Sequence, residues 1–512
     1  MEREVAWKKY DEAQLAEVDE LAAAYIDFIS QNKTERECAA AAIEQAEAVG
    51  YTSLEEAARE GRALKPGDKV WASAHGKAVI LAHIGEEPLA RGMNILGAHI
   101  DSPRLDIKQN PLYEKDGFAL LDTHYYGGIK NYQWVALPLA LHGVVAKTDG
   151  SVVQVVVGED ASDPVFCVSD LLPHLGRAQM EKTANKVIEG EDLDLLVGNR
   201  PLRAPGARPA GAGEAPLRSE AAQPSLHGTS PASAGLATGE AGCGVPHQQA
   251  EAEEKDPVKA LVLRLLEEKY GIAEEDFLSA ELEVVPAGRA REMGFDRSMV
   301  IGYGQDDRVC AYTSLVAQLA LAEPGVPTPL RTAVTVLVDK EEIGSVGATG
   351  MESLFFENTI AEIMELAGEG GVLPLRRALS HSRMLSSDVS AGFDPAYASV
   401  FEAKNAAFLG RGLVFNKYMG ARGKSGSNDA SAEYMARIRR VMDDAQVTFQ
   451  TAEIGKVDAG GGGTIAFIPA RYGMDVIDSG VPVLSMHSPW EVTSKADIYE
   501  ARRGYEVFLL NA

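Results

Sequence analysis

Apolar runs typical of buried strands alternate with helical segments towards both ends of this chain, and this alternation restricts the possible folds more than any other feature. The apolar side chains from Leu15 to Ile29 recur at helical spacing. The run at residues 93–100 (MNILGAHI) is almost continuously apolar, as expected for a strand covered on both faces. The pattern predicts an α/β layered fold. The predicted helices include residues 258–270, 308–321 and 430–441, and the predicted strands include residues 78–84, 93–100, 332–338 and 481–486.

Two stretches interrupt this alternation. Residues 103–199 contain short β-rich runs between Gly, Asp and Pro residues, which predicts a separate and mostly β module. Residues 201–250 are rich in Ala, Gly and Pro and contain no aromatic residue, so this segment cannot bury enough apolar surface to offset its ordering entropy. We therefore predict one α/β domain built from residues 1–102 and 256–512. An inserted β-rich domain at residues 103–199 and a disordered insertion at residues 200–255 separate its two parts.

The balance of charge is strongly acidic. The chain has 49 Lys and Arg residues against 75 Asp and Glu residues, a formal net charge of −26. This composition disfavours a nucleic-acid partner, which would require a basic face. No apolar run reaches the ~20 residues that span a bilayer, and the N-terminus has no signal-peptide pattern. The four cysteines lie far apart without CxxC spacing, which argues against a disulfide framework and a thiolate metal site. We therefore expect a cytoplasmic protein with no membrane partner.

Histidine and acidic residues recur at the ends of the predicted strands and in the loops that follow them, where ligands bind in open α/β sheets. Each occurrence alone has an ordinary structural interpretation, such as a buried histidine or acids that favour a helix N-terminus. Together, two imidazoles and three or four carboxylates match the ligands of a two-metal site, and they suit Zn, Mn or Co. The candidate side chains are His99, Asp101, Asp306, Asp307, Glu341, Glu342, Asp388 and His487.

The motifs that carry these residues resemble, in order, those of the M18 aminopeptidases. This is the family of aspartyl aminopeptidase and vacuolar aminopeptidase I, and the bacterial aminopeptidase 1 type is the most similar. The resemblance covers nearly the whole chain except about residues 200–255. It implies a three-layer zinc-exopeptidase domain, in which a mixed sheet has helices on both faces, and a β-rich dimerisation domain. The motifs are AHIDSP (98–103), GQDDR (304–308), DKEEIGS (339–345), SSDVSAGFDP (386–395), RGKSGSNDA (422–430), GKVDAGGGGTIA (455–466) and LSMHSPWEV (484–492).

The resemblance implies an aminopeptidase that releases N-terminal residues from peptides and binds two divalent metal ions per subunit. Zinc is the expected metal, and cobalt and manganese are the alternatives. Asp306 would bridge the ions, and Asp307 remains open as the bridging ligand because GQDDR contains two adjacent acids. The peptide bond between them is expected to be cis. The remaining assignments are His99 and Asp388 on one ion, Glu342 and His487 on the other, Glu341 as general base, and Asp101 as the partner of His99.

Two further residues are carried over from the family. His174, in LPHL, resembles a histidine that reaches the active site of a neighbouring subunit; its alternative is a structural histidine at a turn. Lys417 lies near the position of a substrate-contacting lysine in acid-selective members, but the local spacing differs. This difference favours a neutral or broad preference for the N-terminal residue of the substrate over an acidic one. The family also implies that the chain associates with copies of itself, into a dimer and into a tetrahedral dodecamer.

Two other functions are compatible with the same motifs. One is a metal-dependent amidohydrolase that acts on acylated amino acids. This function would be excluded if the enzyme required a free amine on its substrate. The other is an inactive peptide-binding or assembly protein. Such proteins usually lose metal ligands, whereas this sequence keeps every expected one.

Overall fold

The computed structural model describes residues 4–202 and 255–512. Nearly all of the insertion that we predict to be disordered therefore lies outside the described residues. The strands, numbered in chain order, are β1 (Thr52–Ser53), β2 (Lys69–Ala74), β3 (Ala78–His83), β4 (Asn94–His99), β5 (Arg104–Lys115), β6 (Phe118–Tyr126), β7 (Leu139–Ala146), β8 (Val152–Val157), β9 (Leu195–Gly198), β10 (Ala280–Pro286), β11 (Arg291–Met293), β12 (Met299–Gly302), β13 (Ala333–Val338), β14 (Arg383–Ser387), β15 (Ser390–Ala391), β16 (Leu413–Asn416), β17 (Phe449–Thr451), β18 (Asp475–Gly480), β19 (Pro482–Val483) and β20 (Glu491–Ser494).

Helices connect these strands. No helix in residues 4–202 and 255–512 combines the length and the apolar composition needed to cross a membrane. The α-helices are α1 (Glu12–Gln31), α2 (Glu35–Ala48), α3 (Leu54–Glu60), α4 (Arg177–Met180), α5 (Pro257–Tyr270), α6 (Gln305–Ala320), α7 (Phe355–Leu366), α8 (Val372–His381), α9 (Ala421–Lys424), α10 (Ala432–Asp444), α11 (Phe467–Ala470) and α12 (Lys495–Asn511).

A nine-stranded mixed sheet forms the centre of the larger unit. Its strand order is β1-β2-β3-β13-β4-β14-β18-β16-β17. The central strands β13, β4, β14 and β18 are mutually parallel, whereas β3 runs antiparallel to β13 and β16 runs antiparallel to β18. The carboxyl ends of the parallel strands therefore meet at one edge of the sheet, where a ligand site is expected.

Both faces of this sheet are covered by helices, as the resemblance implies. Leu96 and Ala98 of β4 belong to a core shared with α1, α2, α6, α10 and α12. Ile95, which precedes Leu96 in the strand, belongs to a second core with α3, α7, α8 and α11. Because successive strand residues point to opposite faces, an uninterrupted apolar run is what two covered faces require. The predicted three-layer α/β architecture is confirmed.

A six-stranded antiparallel sheet has the order β8-β7-β10-β5-β6-β9 and its own apolar core. Strand β10 pairs with both β7 and β5, although it follows residue 256 in the sequence. Val258 of α5 is also buried in this core. The sheet therefore extends beyond the predicted limits of the β-rich domain, and the division of the chain into domains stays a prediction.

The strand predicted at residues 481–486 is longer than the strand that forms there. The strands in this region are β18, which ends at Gly480, and the two-residue β19. Pro482 has no N–H to contribute to a longer ladder. Ser485 and His487 have φ angles of 57° and 63°, which no strand accommodates. His487 therefore lies in a turn and does not end a strand.

Candidate functional site

Three parallel strands bring predicted site residues to the same edge of the nine-stranded sheet. His99 is the last residue of β4, and Asp388 follows β14 directly. Glu341 and Glu342 follow β13 and begin a short 3₁₀ helix, Glu341–Ile343. Residues far apart in the sequence are adjacent here because the strands that carry them are hydrogen-bonded neighbours.

Asp306 enters this edge from the start of α6, and the GQDDR motif fixes its position. Gly304 has a φ of 67°, and a Cβ atom there would lie 1.8 Å from Nη2 of Arg308. The buried Arg308 guanidinium donates to the carbonyl oxygens of Gly304 at 3.0 Å and Tyr303 at 2.7 Å. The Asp306–Asp307 peptide bond is cis, which confirms the expectation from the family. The glycine and the arginine of the motif therefore hold the loop that presents Asp306.

The two carboxylate oxygens of Asp306 face different imidazoles. Oδ1 lies 3.2 Å from Nε2 of His99, and Oδ2 lies 3.1 Å from Nε2 of His487. Oε2 of Glu342 lies 3.6 Å from the same nitrogen of His487. By contrast, Oδ2 of Asp307 accepts the backbone N–H of His99 at 3.3 Å. Asp306 therefore lies between the two imidazoles, whereas Asp307 contacts the backbone of His99.

Several of these side chains can converge on a cation. The ligand atoms of His99, Asp306 and Glu342 lie within 4.8 Å of one another, and so do those of His99, Asp307 and Asp388. Oε1 of Glu342 is buried and has no hydrogen-bond partner within residues 4–202 and 255–512. Carboxylate oxygens and imidazole nitrogens are ligands that Zn²⁺ accepts. The side chains present therefore fit divalent cations.

Burial controls the electrostatics of the site. It would raise the pKa of Asp306, but the hydrogen bonds with His487 and His99 hold that pKa below its ordinary value. Burial, reinforced by neighbouring aspartates, raises the pKa of Glu342 and of Asp388 well above the usual range. Burial also raises the pKa of Glu341 to about 7. A bound cation would favour the ionised carboxylates that burial disfavours.

Asp101 connects His99 with the loop that carries the two glutamates. Its Oδ1 lies 3.3 Å from Nδ1 of His99, consistent with its predicted role as that histidine's partner. The same carboxylate accepts the backbone N–H groups of Glu341 at 3.2 Å and Glu342 at 3.1 Å, and the hydroxyl of Tyr126 at 2.9 Å. Asp101 therefore positions both sides of the site, whereas the sequence pointed only to its contact with His99.

Glu491 is a site residue that the sequence analysis did not identify. It is fully buried in β20, where its Oε2 accepts the N–H of Asp306 at 3.0 Å and its Oε1 accepts the N–H of His487 at 2.7 Å. Burial raises its pKa to about 8. The signal was an acidic residue between Trp490 and Val492, four positions after His487, because a carboxylate buried between apolar neighbours requires partners.

Five of the predicted site residues, Asp306, Glu341, Glu342, Asp388 and His487, line a cleft of about 510 Å³, a volume within the usual range for ligand pockets. A glycine-rich segment from the GKVDAGGGGTIA motif forms another wall. The lining includes Gly128, Asp306, Glu341, Glu342, Asp388, Met419, Ile454, Gly461, Gly462, Gly463, Thr464, Phe467, Met486 and His487.

Two of the predicted site residues, Lys417 and His174, neither line the cleft nor, in the part of the chain that the structure describes, pair or hydrogen-bond with the residues that do. The Lys417 ammonium pairs with Asp429 instead. His174 is exposed on the part of the chain between β8 and β9, next to Leu172 and Leu175, which are 48% and 70% exposed. The structure therefore brings His99, Asp101, the acids of the strand loops and His487 together, but neither of these two residues.

Comparisons with known proteins identify sequences and structures that share this organisation. The family model described as "Aminopeptidase I zinc metalloprotease (M18)" matches residues 28–209 and 237–509. A protein of Clostridium acetobutylicum named "Probable M18 family aminopeptidase 1" is 55% identical over 506 residues, which cover 99% of this chain and 98% of that protein. A Thermotoga maritima protein of the same name is 39% identical over 506 residues, with the same shares covered.

Solved structures agree with the sequence matches. The crystal structure of aminopeptidase I from Clostridium acetobutylicum has a TM-score of 0.83 at 54% identity, and it covers 100% of both chains. The crystal structure of an M18-family aminopeptidase from Thermotoga maritima has a TM-score of 0.85 at 38% identity, again over 100% of both chains. The S. cerevisiae mApe1 dodecamer, at 17% identity and a TM-score of 0.70, shares the fold over 95% of each chain.

Proposed function

Because this chain belongs to the M18 family of zinc metalloaminopeptidases, we propose that it releases N-terminal amino acids from peptides with two divalent cations bound on either side of Asp306. The observation that carries this proposal is the Asp306 carboxylate, whose oxygens lie 3.2 Å from His99 and 3.1 Å from His487. In the proposed ligand set, His99 and Asp388 complete one site, and Glu342 and His487 complete the other. Zinc is the first candidate, with cobalt and manganese as alternatives that the same ligands accept.

The proposed mechanism depends on a proton carrier beside the metal ligands. Divalent cations bound at Asp306 supply Lewis acidity, which lowers the pKa of water and polarises a carbonyl group. Glu341 lines the cleft, and we assign its carboxylate the role of general base that removes a proton from the attacking water. The same carboxyl group then returns this proton to the nitrogen of the leaving amine. The hydrogen bond from its backbone N–H to Asp101 fixes the position of Glu341 in the loop.

We further propose that His174 acts in the cleft of a neighbouring subunit, where it helps to stabilise the oxyanion. Its exposed position supports this assignment, together with three exposed apolar neighbours, Leu172, Leu175 and Met180. Contiguous exposed apolar side chains are typical of an interaction surface. The active site would then be complete only in a dimer, and we propose that dimers assemble into a tetrahedral dodecamer.

The function is tested by initial rates on a panel of aminoacyl-p-nitroanilides and free dipeptides that includes Leu, Met, Asp and Glu. We expect chelation to stop hydrolysis, and added Zn²⁺, Co²⁺ or Mn²⁺ to restore release of the N-terminal residue. Because Lys417 pairs with Asp429 and does not line the cleft, neutral residues should be cleaved at least as fast as acidic ones. Blocking the α-amino group should abolish hydrolysis. Faster cleavage of N-acylated substrates would instead indicate an amidohydrolase.

Replacement of Asp101 tests the support of the site. We expect Asp101→Asn to lower kcat/KM or metal affinity by about 10- to 100-fold, the usual cost when the partner of a metal-binding histidine is altered. The amide cannot accept from His99, Tyr126 and the two backbone N–H groups as the carboxylate does. Asp116→Asn, at an exposed turn between β5 and β6, is the matched control. Equal activity of the two variants would contradict this role for Asp101.

A further inference from the structure

A second cleft, of about 680 Å³, lies at the opposite edge of the nine-stranded sheet. Arg91 precedes β4, and Arg383 is the first residue of β14, whereas His99 and Asp388 lie at the far ends of these two strands. At ~3.3 Å per strand residue, about 17 Å separates Arg383 from Asp388 along the chain. This cleft is therefore distinct from the proposed catalytic cleft.

The charge of this second cleft is opposite to that of the whole chain. The arginines that line it are Arg91, Arg331, Arg377 and Arg383, and His381 lies among them. Asp475 is the one carboxylate residue in the part of the lining that the structure describes. The chain as a whole has a formal charge of −26, so this basic cluster is not a consequence of average composition.

No carboxylate in the part of the chain that the structure describes forms a close ion pair with any of the four arginines, although the charges of Glu87 and Asp475 act on Arg331 and Arg383. Arg331 donates instead to the carbonyl oxygen of His381 at 3.1 Å. By contrast Arg376, beside Arg377 on the same helix, pairs with Glu357 at 3.1 Å. Burial and then the nearby Arg331 lower the pKa of Arg383 to about 10. Grouping like charges in a half-buried position destabilises them, and a bound anion would relieve that repulsion.

The dipole of α8 explains only part of the cluster. Arg377 and His381 lie in the last two turns of that helix, where cationic side chains are favoured in any case. Arg91, Arg331 and Arg383 come from three other segments, although Arg331 also donates to the carbonyl oxygen of His381, the last residue of this helix. Their convergence on one cleft therefore requires another explanation.

We propose that this cleft binds a compact, polyvalent oxyanion of the phosphate class. The half-buried Arg331 and Arg383 would form the floor of the site, and the exposed Arg91 and Arg377 would form its rim. Guanidinium groups match phosphate oxygens because their planar N–H donors can bind two oxygens at once. The lining that the structure describes includes no Phe, Tyr or Trp on which a nucleobase could stack. These features favour phosphate or pyrophosphate over a nucleotide, and they are independent of the proposed catalytic function.

Isothermal titration calorimetry of the metal-loaded, full-length protein with pyrophosphate tests this proposal, with ionic strength matched by chloride. We expect wild-type protein to bind pyrophosphate, and Arg331→Gln and Arg377→Gln each to weaken binding by about tenfold. Arg376→Gln is the matched control, because this arginine lies on the same helix but is paired with Glu357, and its affinity should equal that of wild type. Anions bound at the catalytic metals would be unaffected by all three substitutions.

Two results would overturn the proposal. One is the absence of pyrophosphate binding at millimolar concentration, or equal affinity in wild type, Arg331→Gln and Arg377→Gln. The other comes from a parallel titration with ATP, which should bind no more tightly than pyrophosphate. Tighter binding of ATP that Arg377→Gln weakens would reject a compact anion in favour of a nucleotide. Because Arg377 is exposed, its variant is expected to fold even if Arg331→Gln does not.

Discussion

Glu341→Gln is expected to reduce kcat for peptide hydrolysis by about 10³-fold or more while both metal ions remain bound. A general base contributes roughly 10²- to 10⁴-fold to a rate, and the glutamine amide keeps the shape of the side chain but cannot accept the proton. The metals should remain because the contact with His487 belongs to the neighbouring Glu342, at 3.6 Å. Steady-state kinetics on the best peptide substrate, with metal analysis of the same preparation, measures both effects.

A control on the same loop separates this effect from a change in folding. Glu352 is exposed and pairs with Arg471 at 3.0 Å, and such surface pairs contribute little to stability. Glu352→Gln should therefore keep nearly full activity. The assignment of Glu341 as general base is wrong if Glu341→Gln keeps activity within about tenfold of wild type, or if it loses its metal.

Asp306→Asn should have the largest effect on metal binding. This one carboxylate faces both imidazoles, so its loss weakens both proposed cation sites at once. The neutral amide removes a negative charge and replaces one oxygen with an N–H donor. We expect metal content to fall from two ions per chain towards none, and activity to fall by at least about 10³-fold, because metal catalysis contributes several kcal/mol. Plasma mass spectrometry of dialysed protein gives the metal content.

Asp307→Asn identifies which of the two adjacent acids is the bridge. Asp307 is fully buried, and its Oδ2 accepts the backbone N–H of His99. Metal content should therefore fall less in this variant than in Asp306→Asn. The reverse order, with both ions retained in Asp306→Asn and lost in Asp307→Asn, would show that the register of the GQDDR motif is one residue off.

The sequence predicted best those elements whose side chains are buried on both faces. Strands β4 and β13 lie within a residue or two of their predicted positions, because an apolar run that two helical layers cover has no polar face to obscure it. The apolar run at residues 481–486 gave the same signal, although no continuous strand forms over these residues. Val481 and Val483 are buried, but the strand covers only Pro482 and Val483, and the positive φ angles of Ser485 and His487 end it.

Contacts between distant segments were less accessible to sequence reasoning. Neither the approach of Glu491 to Asp306 nor the three hydrogen bonds that Asp101 accepts from Tyr126 and the glutamate loop follows from local spacing. Strand β10 joins the six-stranded sheet across the predicted disordered insertion, a pairing that no local pattern specifies. By contrast, the metal-ligand candidates could be named because their acidic and imidazole side chains lie at the ends of predicted elements, in motifs that resemble those of a known family.

Anomalous scattering from crystals of the zinc-loaded protein tests the central claim most directly. We predict two zinc peaks, one beside each carboxylate oxygen of Asp306. One peak should also contact His99 and Asp388, and the other should contact Glu342 and His487. A single zinc peak at full occupancy, or two peaks that share no contact with Asp306, would contradict the two-metal site.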